Sequence, residues 1–238
     1  MSAGQRNDIQ GIRAVAILAV LLFHFFPEYF PNGFLGVDIF FVISGYLISS
    51  ILARSTSFGC SDITSFYYRR IKRILPLYLL FVSAAIVMFS FRDHAYELYK
   101  NQRTALWALL FSTNIANLLE KEDYSHQLQS DNIFTHTWSL AVEMQFYFIV
   151  PFLFLVHSKL PENSRISQRN FFPLVSAISF TIFVLSSERT AFNLLLARFW
   201  HFLATSSWCV EEQQKKRNEV AKGEAIINSK YEHLLCMP

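Results

Sequence analysis

Apolar residues are grouped along this chain in runs of about 16 to 21 residues that are nearly free of charge. A membrane-spanning helix needs about 20 predominantly apolar residues, because it must cross a hydrocarbon core of about 30 Å. The runs that meet this requirement are 9–26, 34–53, 74–91, 137–157 and 171–187. They predict an all-α, multi-spanning integral membrane protein.

For two further stretches the sequence does not decide whether they span the membrane. Residues 190–205 form a weaker sixth candidate, because the run contains Arg198 and His201. Residues 104–119 are short for a span and contain two asparagines. The pattern as a whole therefore predicts a bundle of about five to seven hydrophobic helices.

The charges between the runs predict how the bundle is oriented. Cytoplasmic loops of membrane proteins are enriched in Lys and Arg. The loop 54–73 is strongly basic, which predicts a cytoplasmic N-terminus and places the loop 27–33, without Lys or Arg, outside. The loop 158–170 is also basic, and it faces the cytoplasm only if 104–119 does not fully cross. We therefore expect a re-entrant or interfacial helix at 104–119.

The overall composition supports a membrane protein and excludes several other classes. Of the 238 residues 53% are hydrophobic and only 16% are charged, against about 25% charged residues in soluble domains. The net charge of +3 is too small to suggest a nucleic-acid partner. The three cysteines are scattered and form no motif, which argues against a disulfide framework or a metal site.

The end of the chain differs in character from the rest. Residues 206–238 contain five basic and five acidic residues and lack a long apolar run. Such a mixed-charge segment is typical of a solvated helix or a disordered tail.

Arg13 and His24 are two costly polar residues within the first apolar run. Ten residues separate them, so in a helix both lie on one face, about 16 Å apart along the axis. Neutral histidine can act as a general base, and arginine can neutralise an anionic donor or an opposing carboxylate. The alternative is a structural hydrogen bond for His24 and interfacial snorkelling for Arg13.

Asp38 lies just inside the second run, at a depth close to that of His24. A carboxylate there could orient an imidazole and stabilise its charged form. The alternative is that Asp38 pairs with an arginine or a backbone group for packing alone. Gly36 and Gly45 on the same run predict close helix approach.

Glu143 is an acidic residue within the otherwise apolar run 137–157. His136, Ser139 and Tyr147 lie along the same helical face. Acidic residues in spans usually face the bundle interior and mark functional sites. The competing interpretation is a structural salt bridge with an intramembrane arginine.

A basic cluster precedes the third run. Arg70 and Arg73 are three residues apart and face the same way on a helix, and Arg69 and Lys72 widen the cluster. The guanidinium fork binds phosphate in a bidentate manner, so the cluster could hold a phosphorylated ligand. The alternative is ordinary anchoring of a cytoplasmic loop.

Together these segments resemble the membrane acyltransferase-3 family, which includes bacterial O-antigen and nodulation-factor O-acyltransferases and related animal proteins. The strings that carry the resemblance occur in the order of the family: DIQGIRAVAILAVLLFHF, GFLGVDIFFVISGYLI, FYYRRIKRILPLY, HTWSLAVEMQFYF and LLARFWHFLAT. The resemblance covers residues 7–205. It implies a membrane enzyme that transfers an acyl group, often acetyl, from an acyl-CoA donor on the cytoplasmic side to a hydroxyl of a carbohydrate or other acceptor.

The resemblance also implies roles for individual residues. The family pattern of a basic residue ten residues before a histidine falls on Arg13 and His24, and its glutamate falls on Glu143. Met144 stands where relatives often have a second glutamate. We therefore expect a catalytic group of His24, Arg13, Asp38 and Glu143, donor phosphates on Arg69, Arg70 and Arg73, and acceptor contacts from His136, Trp138 and Ser139. No bound cofactor or metal is expected, because acyl-CoA (acetyl-CoA) is a donor substrate.

The last expectation concerns how many of the family's helices this chain contains. Family members usually continue with several more helices, whereas residues 206–238 do not resemble the family. This predicts a C-terminally truncated member with an incomplete bundle. Two alternatives are a truncated inactive isoform and a non-enzymatic membrane protein, either transporter-like or a partner subunit.

Overall fold

The computed structural model describes residues 7–55, 59–92, 95–119, 134–160 and 168–235, and the regular structure in these ranges is entirely helical. The helices are α1 (Asn7–Phe25), α2 (Leu35–Leu52), α3 (Cys60–Arg92), α4 (Ala95–Leu109), α5 (Thr113–Leu119), α6 (Trp138–Lys159), α7 (Gln168–Leu185), α8 (Glu188–Asn193), α9 (Leu195–Leu203) and α10 (Ser206–Leu235). A short 3₁₀ turn, Thr135–Thr137, leads into α6. The predicted all-α class is confirmed.

Within the described ranges, five helical segments are long and apolar enough to cross a membrane. They are α1, α2, most of α3, the segment Thr135–Lys159 and α7, and they correspond to the five predicted runs. Only 11% of the residues in the apolar windows of α1 and α7 are buried within the protein. The apolar side chains on these outer helices therefore suit a lipid environment and confirm a multi-spanning membrane protein. The cytoplasmic N-terminus stays a prediction, and most of the basic loop 158–170 lies outside the described residues.

The predicted basic loop 54–73 is, from Cys60 onward, the beginning of α3, so the loop assignment was wrong for these residues. The first turns of α3 are amphipathic. Phe66 is buried and Ile74 packs against the core, whereas Tyr68 and Arg69 are exposed. One apolar stripe is enough to hold a helix against its neighbours, although the segment is too polar to resemble a span.

The predicted sixth helix, 190–205, is divided into α8 and α9. Leu194 between them has an extended backbone, with ψ 123°. Its N–H donates to the carbonyl of Thr190 and closes α8. The nine residues of α9 cannot cross a bilayer by themselves. This run is therefore not one continuous span.

The stretch 104–119 is also interrupted, and its re-entrant or interfacial placement stays a prediction. α4 ends at Leu109 and α5 begins at Thr113, and between them Phe111 has φ 50°. This left-handed conformation is uncommon for a residue other than glycine, and it marks the break between the two helices. Asn114 in α5 is buried, and its Nδ2 donates to Gln145 Oε1 at 3.1 Å. The buried amides explain why this run contains asparagines.

The main core lies where α2, α6, α7 and α9 meet. The rings of Phe146 and Phe202 stack with centroids 4.2 Å apart, and both side chains are fully buried. A Cβ added to Gly45 would lie 2.0 Å from the carbonyl oxygen of Phe202, and one added to Gly36 would lie 2.5 Å from that of Ala16. The predicted close approach at these two glycines is therefore confirmed.

The tail that follows the apolar segments is helical from Ser206 to Leu235 and packs on the bundle at its start. Ser206 Oγ lies 2.8 Å from Ser49 Oγ of α2, and Cys209 is buried. The side chains of residues 214–222 are exposed. The solvated helix, one of the two predicted alternatives, describes residues 214–222, and the side chains after residue 223 lie outside the described part of the chain.

Candidate functional site

The two ends of the bundle differ in chemistry. We name the end formed by residues 26–34, between α1 and α2, the distal end. The end at which α2 finishes and α3 begins, residues 53–55 and 59–60, is named the basic end, because Arg54 is exposed there. Arg69 and Arg73 are also exposed, but they lie about 14 and 20 Å along α3 from its start at Cys60. α1 runs from the basic end to the distal end, and α2 returns.

His24 lies at the distal end, in the last turn of α1, and its side chain is exposed. Its Nδ1 lies 2.8 Å from the carbonyl oxygen of Val20. A carbonyl oxygen only accepts hydrogen bonds, so Nδ1 carries the hydrogen and donates. In the neutral ring Nε2 then bears the lone pair, which is the state that a general base requires.

A second imidazole lies against His24. The ring of His136, in the 3₁₀ turn before α6, packs edge to face with that of His24, with centroids 5.1 Å apart. The structure therefore brings together a predicted catalytic residue and a predicted acceptor-binding residue from opposite halves of the chain. Of the other two predicted acceptor residues, Ser139 is half-buried, and Trp138 is buried against Phe192, with ring centroids 4.1 Å apart.

Asp38 pairs with an arginine that lies 160 residues away. Its Oδ1 accepts a short hydrogen bond from Arg198 Nη1 in α9. The Nε of Arg198 donates to the carbonyl of Phe192 at 3.2 Å, and the guanidinium lies 5.0 Å from the ring centroid of Phe192. Asp38 therefore pairs with an arginine, which is one of the two predicted alternatives. No described hydrogen bond or ion pair connects Asp38 to His24.

His201 completes this buried group. Its Nε2 is 3.8 Å from Asp38 Oδ1, and its Nδ1 is 3.3 Å from the carbonyl of Arg198. Burial and the charge of Arg198 lower the pKa of His201 to about 4. The ring is therefore neutral near pH 7, and the cation that pairs with Asp38 among the described residues is Arg198.

Glu143 lies in a second polar group, formed by α2, α3 and α6. Its Oε1 accepts short hydrogen bonds from the hydroxyls of Ser44 and Tyr147. The guanidinium of Arg70 lies 5.4 Å from the ring centroid of Tyr147 and 5.7 Å from that of Phe66. The Arg70 side chain therefore packs against the Glu143 group and is half-buried. Arg69 and Arg73, in contrast, are exposed.

Four residues in these groups were not predicted as site residues: Arg198, His201, Ser44 and Tyr147. The sequence could have indicated Arg198, because a cation within an apolar run needs a buried partner. Nothing in the sequence indicated Ser44, because a single hydroxyl in an apolar helix is common. The predicted Arg13 does not lie beside His24. It is half-buried near the basic end and lines a cavity there.

A bundle of apolar helices with paired internal charges and two imidazoles at one end defines a polytopic membrane protein with an internal polar site. A family model described as an acyltransferase domain matches residues 6–210. The chain therefore belongs to the acyltransferase-3 family, as the resemblance implied.

Comparison with curated proteins identifies relatives within this family. The O-acetyltransferase OatA of Staphylococcus aureus is 35% identical over 159 residues, which cover 65% of this chain and 26% of that protein. The peptidoglycan O-acetyltransferase OatA of Listeria monocytogenes is 35% identical over 162 residues, which cover 67% and 26%. The chain thus spans about a quarter of the length of these relatives. No solved structure matches the chain significantly.

Proposed function

We propose that this chain carries the catalytic histidine of a membrane-bound O-acyltransferase, which moves an acyl group, often acetyl, from an acyl-CoA donor to a hydroxyl of a carbohydrate. The observation that carries the proposal is the exposed His24. Its Nδ1 is hydrogen-bonded to the carbonyl oxygen of Val20, and its ring packs against that of His136. Family membership supports acyl transfer. The name of the Listeria relative supports a peptidoglycan-type acceptor.

The transfer step follows from the state of His24. Nε2 takes the proton of the acceptor hydroxyl while the hydroxyl oxygen attacks the carbonyl carbon of the donor thioester. The carbon–sulfur bond breaks, and the leaving thiolate takes the proton from the imidazolium. The products are an ester and a free thiol, and His24 returns to its neutral form.

The other groups have supporting roles in this proposal. His136, whose ring packs against that of His24, would contact the acceptor. The exposed Arg69 and Arg73 would attract the donor phosphates to the outer face of α3. The acyl arm would then extend from that face to His24 at the distal end.

Replacement of His24 tests the proposal. The purified chain in nanodiscs is supplied with labelled acetyl-CoA and peptidoglycan fragments, and the labelled ester is measured. His24→Gln should lower the rate about 100-fold or more, the usual contribution of a general base. His157→Gln is the matched control, because it removes another imidazole whose Nε2 contacts only the carbonyl of Gln168 in the described hydrogen bonds. Retained transfer in His24→Gln would contradict the proposal.

A further inference from the structure

A cavity of about 310 Å³ lies between α1, α2 and α10 near the basic end. Among the described residues, its lining contains three cationic side chains and one anionic side chain. They are Arg13 of α1, Arg54 just after α2, and Lys216 and Glu212 of α10. The cavity is thus formed partly by membrane helices and partly by the tail helix.

The lining has an excess of positive charge. Lys216 Nζ lies 2.6 Å from Glu212 Oε1, so the single carboxylate of the lining is engaged by its neighbour on α10. Two arginines remain on the opposing wall, Arg13 and Arg54. Like charges around one cavity repel each other, and an anion between them would relieve that repulsion.

The donors of the cavity suit a phosphate group. Guanidinium groups bind phosphate oxygens through two parallel hydrogen bonds. Gln10, Ser50 and Gln213 add neutral donors to the same lining. The volume is at the lower end of the range for small-molecule sites, about 300 Å³ and above. It therefore suits a headgroup-sized ligand.

We propose that this cavity binds a phosphate-bearing group, either the headgroup of an anionic lipid or the phosphates of a nucleotide-type acyl donor. Glu212 and Lys216 lie beyond residues 6–210, which the family model matches. The site therefore depends on the tail helix of this chain. Its existence does not depend on acyl transfer. Only the identification of the occupant as the donor rests on the proposed function, and that outcome would move the donor phosphates from Arg69 and Arg73 to this cavity.

Charge variants test the site by direct binding. The full chain in phosphatidylcholine nanodiscs is titrated with inorganic pyrophosphate by calorimetry, at low and at high salt. Arg54→Gln and Lys216→Gln should each weaken binding about threefold, the effect of a partly exposed charge pair. Glu212→Gln should strengthen binding, because it removes the anionic group. Lys222→Gln is the matched control: it is an exposed lysine on the same helix that does not line the cavity.

A second arm identifies the source of the phosphate. Loss of pyrophosphate binding in phosphatidylglycerol nanodiscs, but not in phosphatidylcholine nanodiscs, supports a lipid headgroup. Competition by coenzyme A in both supports a soluble donor. The site is refuted if pyrophosphate does not bind the unmodified chain, if Lys222→Gln weakens binding as much as Lys216→Gln, or if Glu212→Gln does not strengthen it. None of these results depends on whether the chain transfers acyl groups.

Discussion

The pair formed by Asp38 and Arg198 should be a principal determinant of stability. The Arg198 side chain is 5% exposed and that of Asp38 19% exposed, so neither charge is well solvated. Replacing Arg198 by Met keeps most of the aliphatic stem but leaves the carboxylate of Asp38 without its cation. It also removes the hydrogen bond to the carbonyl of Phe192. Loss of one partner of a buried ion pair costs about 3–5 kcal/mol.

The two single variants, Asp38→Asn and Arg198→Met, should differ in how much stability they lose. Asp38→Asn keeps an acceptor of the same shape for the Arg198 guanidinium, which also retains its contact with the ring of Phe192. We therefore expect Asp38→Asn to cost less than Arg198→Met, about 1.5–3 kcal/mol, because it weakens a hydrogen bond to a charged group without removing the acceptor. The double variant Asp38→Asn/Arg198→Met leaves no buried charge at this position. It should be more stable than Arg198→Met alone.

The assay is unfolding of the purified chain by SDS in mixed micelles. Tryptophan fluorescence is a suitable signal, because the Arg198 guanidinium lies 5.9 Å from the ring centroid of Trp138. Arg69→Met, at an exposed position, serves as the control and should change stability by less than about 0.5 kcal/mol. The reasoning is refuted if Arg198→Met costs less than about 1 kcal/mol. It is also refuted if the losses of the two single variants simply add in the double variant.

Further predictions concern close packing and the second polar group. Gly45→Ala should lower the melting temperature in detergent and cost about 1–3 kcal/mol, because the new methyl group would collide with the backbone of Phe202. Gly11→Ala, where nothing lies within 4 Å of the added atom, should leave stability unchanged or raise it by up to about 1 kcal/mol; equal losses would contradict the packing argument. Tyr147→Phe should cost about 1 kcal/mol in SDS unfolding, because Glu143 loses one of its two hydroxyl donors. A loss below about 0.3 kcal/mol would show that this hydrogen bond contributes nothing net to stability.

The spans were predictable because hydropathy is a local property. A helix such as α1 or α2 must be apolar over its own length to cross a bilayer, whatever its neighbours are. Gly45 was predictable for a similar reason, since small residues in apolar helices permit close backbone approach. The start of α3 was missed, because its amphipathic first turns gain their stability by burying Phe66 against other helices.

The interior charges show the limit of local information. The sequence by itself determined that Asp38 and Glu143 lie within apolar helices and therefore need partners. Only the tertiary structure decided which partners they take: Arg198 for Asp38, and the hydroxyls of Ser44 and Tyr147 for Glu143. The choice depends on which helices meet at each depth. It therefore depends on packing between segments that lie far apart in the chain.

The pair Arg13 and His24 shows both contributions within one helix. Their spacing on one face follows from the helical repeat, and the sequence alone determined it. Their surroundings do not follow from the repeat. The fold places a second imidazole beside His24 at one end and the basic cavity, including Lys216 from the tail, beside Arg13 at the other. Helix geometry determines positions along an axis, whereas the packing of other segments determines what each position meets.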